Sequence, residues 1–119
     1  MTPETIQRLE EEIAAAYPDG TSTTDGGRRL IRLPKVHFPI GCKPEAGVAL
    51  VVLDPNAPKP DLHLAEVPAL PSGNRVSVGT IAVAGQTWQT FSFNLNWDEG
   101  GHTGLQFVEG KLARLRRGS

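Results

Sequence analysis

The sequence predicts an α+β domain in which a helix precedes and another helix follows an antiparallel sheet. Near the start, apolar residues recur at spacings of three and four, as on one face of a helix: Ile6, Leu9, Ile13 and Tyr17. Short apolar segments separated by glycine- and proline-rich turns then indicate strands. A second helical stripe closes the chain. Its 119 residues have the length of one domain, so residues 1–119 are expected to fold as a single unit.

The first element is predicted to be a helix from about residue 3 to residue 16. Thr2 is a suitable N-cap, and Pro3 suits the first helical position because its missing N–H would have no intrahelical partner there. Pro18 ends the helix, and we expect a polar turn from there to Arg28.

Four strands are expected next, arranged as a meander. The first covers Leu30–Ile40, and Pro34 within it predicts a sheet edge or a bend, because proline cannot donate to the ladder. The run Val48–Leu53 is apolar at every position, as in a central strand. Leu62–Leu64 and Val76–Val83 supply the third and fourth strands.

An aromatic segment and a closing helix complete the predicted fold. Phe91, Phe93, Leu95 and Trp97 alternate with Ser92, Asn94 and Asn96, which indicates an extended segment with one aromatic and one polar face. Thr103 and Gln106 then have the spacing of a capping box. The apolar spacing that follows predicts a helix from about residue 104 to residue 117.

Composition excludes several functional classes. Lys and Arg number 12 against 13 Asp and Glu, so there is no electrostatic case for binding nucleic acid or an anionic membrane. The acidic N-terminal segment lacks a signal-like apolar region and no run approaches the roughly 18 apolar residues of a membrane span, so we expect a cytoplasmic protein. The single cysteine and three histidines form no recognisable metal spacing, and no cofactor is expected.

Three sequence words resemble one family. They are Phe38-Pro39-Ile40-Gly41-Cys42-Lys43-Pro44, then Gly85-Gln86-Thr87-Trp88-Gln89, and finally Trp97-Asp98-Glu99-Gly100. Together with the predicted order of elements, they resemble the prokaryotic ubiquitin-conjugating-enzyme-like family labelled family E, over roughly residues 28 to 115. The resemblance implies a ubiquitin-conjugating-enzyme-like fold. It also implies a bacterial ubiquitin-like conjugation pathway, with a ubiquitin-like modifier and a ubiquitin-activating-type enzyme as partners.

The ordinary mechanism of that fold needs a cysteine after the fourth strand, and no cysteine lies between Ala84 and Ser119. Ser92 is the first alternative nucleophile, because it lies in the matching segment and could carry the modifier as an oxyester. Asn94, on the same side of the segment, could stabilise an oxyanion. Cys42 is the second alternative, although it precedes the predicted central strand. Each also has a structural interpretation, as a solvent-facing strand residue or a turn cysteine.

Trp88 and Trp97 have both a core and an interface interpretation. A small domain needs large side chains to close its sheet, but Trp88 breaks the parity of the later aromatic residues, so one indole could anchor a partner. His63, two residues after Asp61, is interpreted as an ordinary surface or half-buried histidine.

Three hypotheses about function follow. The first is a binding or positioning subunit of the conjugation pathway without the usual cysteine. The second is an active modifier carrier that uses a non-standard nucleophile. The third is an unrelated small α+β protein.

Overall fold

The computed structural model describes residues 1–70, 78–91 and 103–117. Over these ranges the chain forms two α-helices and six β-strands: α1 (Pro3–Ala16), β1 (Thr21–Asp25), β2 (Arg28–His37), β3 (Ala46–Leu53), β4 (Asp61–Leu64), β5 (Val78–Val83), β6 (Gln86–Phe91) and α2 (Gly104–Arg117). The α+β class is confirmed. Neither helix of this part of the chain is long and apolar enough to cross a membrane.

Both helices begin and end where the sequence predicts. The Thr2 hydroxyl accepts a hydrogen bond from the Thr5 backbone N–H at 3.2 Å and caps α1. At α2, the Gln106 N–H donates to the Thr103 hydroxyl at 3.1 Å, and the Thr103 N–H donates to the Gln106 side-chain oxygen at 2.8 Å. These reciprocal bonds are the predicted capping box.

The predicted four-stranded meander is wrong, because the sheet has six antiparallel strands in the order β1-β2-β3-β4-β6-β5. The segment expected to be a polar turn contains β1, whose residues are Thr21 to Asp25 and carry no apolar face to reveal a strand. Gly26 and Gly27, both at positive φ, form its turn into β2. At the other end, β6 is inserted between β4 and β5, a non-local pairing that sequence periodicity does not encode.

Pro34 marks a bend in β2. The register of β2 against β3 shifts between Leu33 and Val36, so the ladder is interrupted around the proline. The prediction of an edge or a bend at Pro34 is thus confirmed as a bend, and the ladder between β1 and β2 ends at Arg32, before the proline. Strand β3 is central, as its apolar sequence predicts.

The two helices cover one face of the sheet and bury the larger core. This helix-covered face contains alternate residues of β2, β3 and β4 together with the apolar stripes of α1 and α2, including Leu9, Ile13, Leu33, Val51, Leu62, Val108 and Leu115. Gly104 permits a close approach of the helices. A Cβ atom there would lie 2.7 Å from Ile13 Cγ1 and 2.8 Å from the Leu9 carbonyl oxygen. The Gly104 N–H donates to Glu12 Oε1 at 2.9 Å.

The sheet coils strongly toward its opposite face. A second cluster on it unites Leu30 and Leu50 of β2 and β3 with Val83 and Trp88 of β5 and β6. Strands β2 and β5 are four positions apart, which is about 19 Å in a flat sheet with the usual spacing. Among the described residues, strands β4 and β6 pair at the single position Leu64 and Gln89, and this short ladder lets the β5–β6 hairpin turn inward. We call this side the concave face.

Candidate functional site

Three of the five residues predicted for the site lie outside the described residues. Ser92, Asn94 and Trp97 belong to the stretch 92–102. Their roles as nucleophile, oxyanion-stabilising group and partner anchor stay predictions.

Cys42 is buried in the turn between β2 and β3. Its side chain is 1% exposed and belongs to the helix-covered core, and its N–H donates to the Pro39 carbonyl at 3.1 Å. Burial raises the pKa of the Cys42 thiol. Because the thiolate is the nucleophilic form, this environment disfavours thioester chemistry.

Trp88 lies in the concave face and is 2% exposed. The indole therefore packs against the neighbouring strands within the chain. Its role as a partner anchor stays a prediction, and a partner would have to reach it through the adjoining cavity.

That cavity lies between the β5–β6 turn and strands β1 and β2, and it has a volume of about 130 Å³. Apolar side chains form most of its wall: Leu30, Leu50, Val83, Ala84 and Trp88. The polar lining residues are Thr21, Thr23, Arg32 and Gln86. Residues from both edges of the sheet thus surround one space, as expected for a sheet that coils toward a barrel.

A cluster of ionisable side chains joins β4 to α2. His63 Nε2 lies 3.8 Å from Asp61 Oδ2, and Lys111 Nζ lies 3.7 Å from Asp61 Oδ1. His63 and Lys111 are both buried, whereas Asp61 is exposed. His63 Nδ1 is buried and has no hydrogen-bond partner within the described ranges.

The surroundings favour the neutral form of His63. Burial lowers its pKa, Asp61 opposes that shift, and Lys111 adds to it by charge repulsion. The pKa of Lys111 is also lowered, mainly by burial, against the attraction and hydrogen bond of Asp61 and with repulsion from Lys59. Perturbed groups of this kind occur at functional sites and also in structural ion-pair clusters. Because His63 Nδ1 is enclosed, the geometry favours a structural contact between α2 and β4.

The interpretation of His63 as an ordinary surface or half-buried histidine missed this contact, since the side chain is buried. Lys111 gave a signal in the sequence, since it lies between Val108 and Leu115 on the apolar stripe of α2 and must therefore approach the sheet. Arg32, which lines the cavity, gave no such signal, because its position there depends on how the sheet coils.

The described residues contain no group of three or more histidine, cysteine or acidic side chains that could hold a metal ion.

In comparisons with known proteins, no family model, no curated protein and no solved structure matches the chain.

Proposed function

We propose that this protein is a binding or positioning subunit of a bacterial ubiquitin-like conjugation pathway. In this role it contacts the ubiquitin-like modifier or its activating enzyme without carrying the modifier on a cysteine. The proposal combines the motif resemblance with the environment of the single thiol.

The burial of Cys42 is the observation that carries the proposal. The only cysteine of the chain is 1% exposed, its pKa is raised, and it lies before β3. A carrier cysteine must present a thiolate to the activated modifier, which requires access and stabilisation of the negative charge. Cys42 has neither in this conformation.

The order of the elements gives secondary support. After α1, strands β1 to β4 are consecutive antiparallel neighbours, and α2 follows later in the chain. A helix followed by a four-stranded meander is the arrangement that the resemblance implies, although these are not the four strands predicted from the sequence. The β5–β6 hairpin is additional to that arrangement.

Two of the motifs that carry the resemblance also contain a glycine at a positive φ. The Phe38–Pro44 word forms the turn before β3, with Gly41 at a φ of 95°. Gly85, at a φ of 79°, begins the second word in the turn between β5 and β6. Backbone positions that favour glycine explain why these words contain it.

The second candidate function is an active carrier that holds the modifier as an oxyester on Ser92. The favourable sequence context of Ser92 and the unfavourable environment of Cys42 rank the serine first among the nucleophiles. The third is an unrelated small α+β protein, for which the aromatic residues serve only the core. Neighbouring genes for an activating enzyme and an isopeptidase would favour a conjugation pathway over this third candidate.

Intact-mass spectrometry distinguishes the candidates. The protein is incubated with a ubiquitin-like protein and activating enzyme encoded beside it, with and without ATP, and binding is measured in parallel by size-exclusion chromatography. We expect a non-covalent complex and no ATP-dependent adduct while the activating enzyme itself is charged.

An adduct that resists mild reductant, is cleaved by hydroxylamine and disappears in Ser92→Ala would replace the proposal with the carrier mechanism. An adduct cleaved by both reagents and lost in Cys42→Ser would assign the thiol. If neither a complex nor an adduct forms, the third candidate remains.

A further inference from the structure

The cavity on the concave face has the chemistry of a binding site that is independent of the proposed conjugation role. We infer that this cavity binds a small organic monoanion, which consists of a carboxylate attached to a short apolar body. The apolar body would lie against Trp88 and Leu50, and the carboxylate would meet Arg32.

Arg32 differs from the other arginines whose side chains the structure describes. Arg8, Arg28 and Arg29 each have a carboxylate partner at 3.0 Å. Within the same described ranges, Arg32 has no such ion pair, although it is exposed at the cavity and no acidic residue lines that space. Its guanidinium is therefore available for the two parallel hydrogen bonds that a carboxylate accepts.

The strand register keeps Arg32 beside the apolar part of the cavity. Arg32 lies opposite Thr21 on one side and Leu50 on the other, and Thr23 lies opposite Leu30. Cross-strand neighbours share a face, so the guanidinium and the two threonines border the same apolar surface. An anion there would meet one cation and additional hydroxyl donors.

Size and charge restrict the class of ligand. A volume of about 130 Å³ is close to that of an engineered cavity of about 150 Å³ that accepts benzene. The single positive charge among the described lining residues matches a monoanion better than a phosphate dianion, whose desolvation needs more compensating charge. The apolar wall favours a branched or aromatic body.

The backbone at the cavity rim is unusual in one respect. Ala84 lines the cavity and has a φ of 51°, in the left-handed region that non-glycine residues seldom adopt. This conformation, followed by Gly85 at 79°, forms the tight turn that directs the hairpin toward β1. The rim is therefore fixed in a conformation that costs free energy at Ala84.

Isothermal titration calorimetry on the full chain tests the assignment with benzoate as the first probe. We expect saturable binding with a Kd on the order of 1 mM or tighter, which is within reach of a ligand of this size. Benzamide, which keeps the ring and lacks the charge, should bind at least about tenfold more weakly because it cannot form the charged bidentate pair. Inorganic phosphate should also bind more weakly, since it lacks the apolar body.

Arg32→Gln and Arg29→Gln form a matched pair of variants. Both replace an arginine of β2, but Arg29 pairs with Glu10 of α1 on the helix-covered side. Arg32→Gln should weaken benzoate binding by about tenfold or more, whereas Arg29→Gln should leave it unchanged. Thermal unfolding without ligand checks that both variants fold, which is expected of Arg32→Gln because the side chain is exposed.

The carboxylate could belong to a free small acid or to the end of a peptide. Isovalerate and N-acetyl-alanyl-leucine represent these sources, and tighter binding of one identifies the source. Absence of saturable binding by all three acids would overturn the inference. So would equal binding of benzoate and benzamide, binding of phosphate as tight as that of benzoate, or equal effects of the two arginine variants.

Discussion

The two faces of the sheet are built from alternate residues of the same strands, yet they are closed in different ways. Two amphipathic helices cover one face with side chains such as Leu9 and Val108, which are almost fully buried. On the other face, the sheet coils over a smaller cluster and leaves a cavity bordered by Arg32. The difference separates stability, which depends chiefly on the helix-covered face, from binding chemistry, which the concave face can provide.

The largest expected difference between the faces is the cost of truncating a core leucine. Leu33→Ala removes a 0%-exposed side chain from the helix-covered core and should destabilise the protein by about 2–5 kcal/mol. Leu50→Ala should cost less, because Leu50 already borders a cavity and loses fewer packing contacts. Urea unfolding measures both free energies, and an equal or larger loss for Leu50→Ala would contradict the division between the faces.

A glycine on the helix-covered face should resist replacement by a better helix former. Gly104→Ala gains up to about 1 kcal/mol of helix propensity, but its Cβ would meet Ile13 and the Leu9 carbonyl at distances that require the helices to move. We expect net destabilisation of about 1–3 kcal/mol, typical of overpacking. Gly79→Ala is the control, since a Cβ there makes an ordinary contact of 3.5 Å with Thr90. Chemical denaturation showing that Gly104→Ala stabilises the protein would exclude the tight helix contact.

The pH dependence of stability should report on the buried histidine of β4. The folded-state pKa of His63 is lowered, so the unfolded chain binds a proton more readily near the usual value of about 6.5. Stability is therefore full above that pH and should fall as the pH drops through the folded pKa, by about 1.4 kcal/mol for each unit of the shift. Thermal melting between pH 7.5 and 5 measures this loss.

Two histidine variants isolate that effect. His63→Leu should flatten the decline in Tm below neutral pH, whereas His37→Gln, at an exposed position, should keep the wild-type profile. An unchanged slope in His63→Leu would show that other groups control the acid sensitivity.

The smallest expected effect is at the turn of the concave-face hairpin. Ala84→Asn creates the Asn-Gly pair that two-residue turns with positive φ at both positions prefer. We expect stabilisation of about 0.5–1 kcal/mol, because asparagine adopts the left-handed conformation at lower cost than alanine. Differential scanning calorimetry should give a higher Tm, and a lower one would contradict the assigned turn geometry.

Sequence patterns predicted the helices well because their information is local. The apolar stripe through Leu9 and Ile13 indicates α1, and the capping box of Thr103 and Gln106 marks the start of α2. Each signal lies within a few residues of the helix that it predicts. The polar strand β1 gave no such signal, since its threonines lack an apolar face and its pairing with β2 supplies its structure. Local patterns therefore gave the fold class but not the strand count.

The candidate sites were predicted less completely because they depend on contacts between distant segments. The sequence marked Trp88 as notable, but only the insertion of β6 between β4 and β5 explains its burial. The approach of Lys111 to Asp61 joins residues 50 positions apart in the chain. That Arg32 forms no ion pair within the described ranges likewise depends on the tertiary arrangement and not on its neighbours in sequence.

Nuclear magnetic resonance mapping of a benzoate titration tests the separation of the two faces most directly. Shifts of amide and methyl signals should concentrate at Leu30, Leu50 and Trp88 and should largely disappear in Arg32→Gln. The methyl signals of Leu33 and Leu62, on the helix-covered face, should remain unchanged. Shifts centred on the helix-covered core, or a pattern unaffected by Arg32→Gln, would contradict the assignment of binding to the concave face.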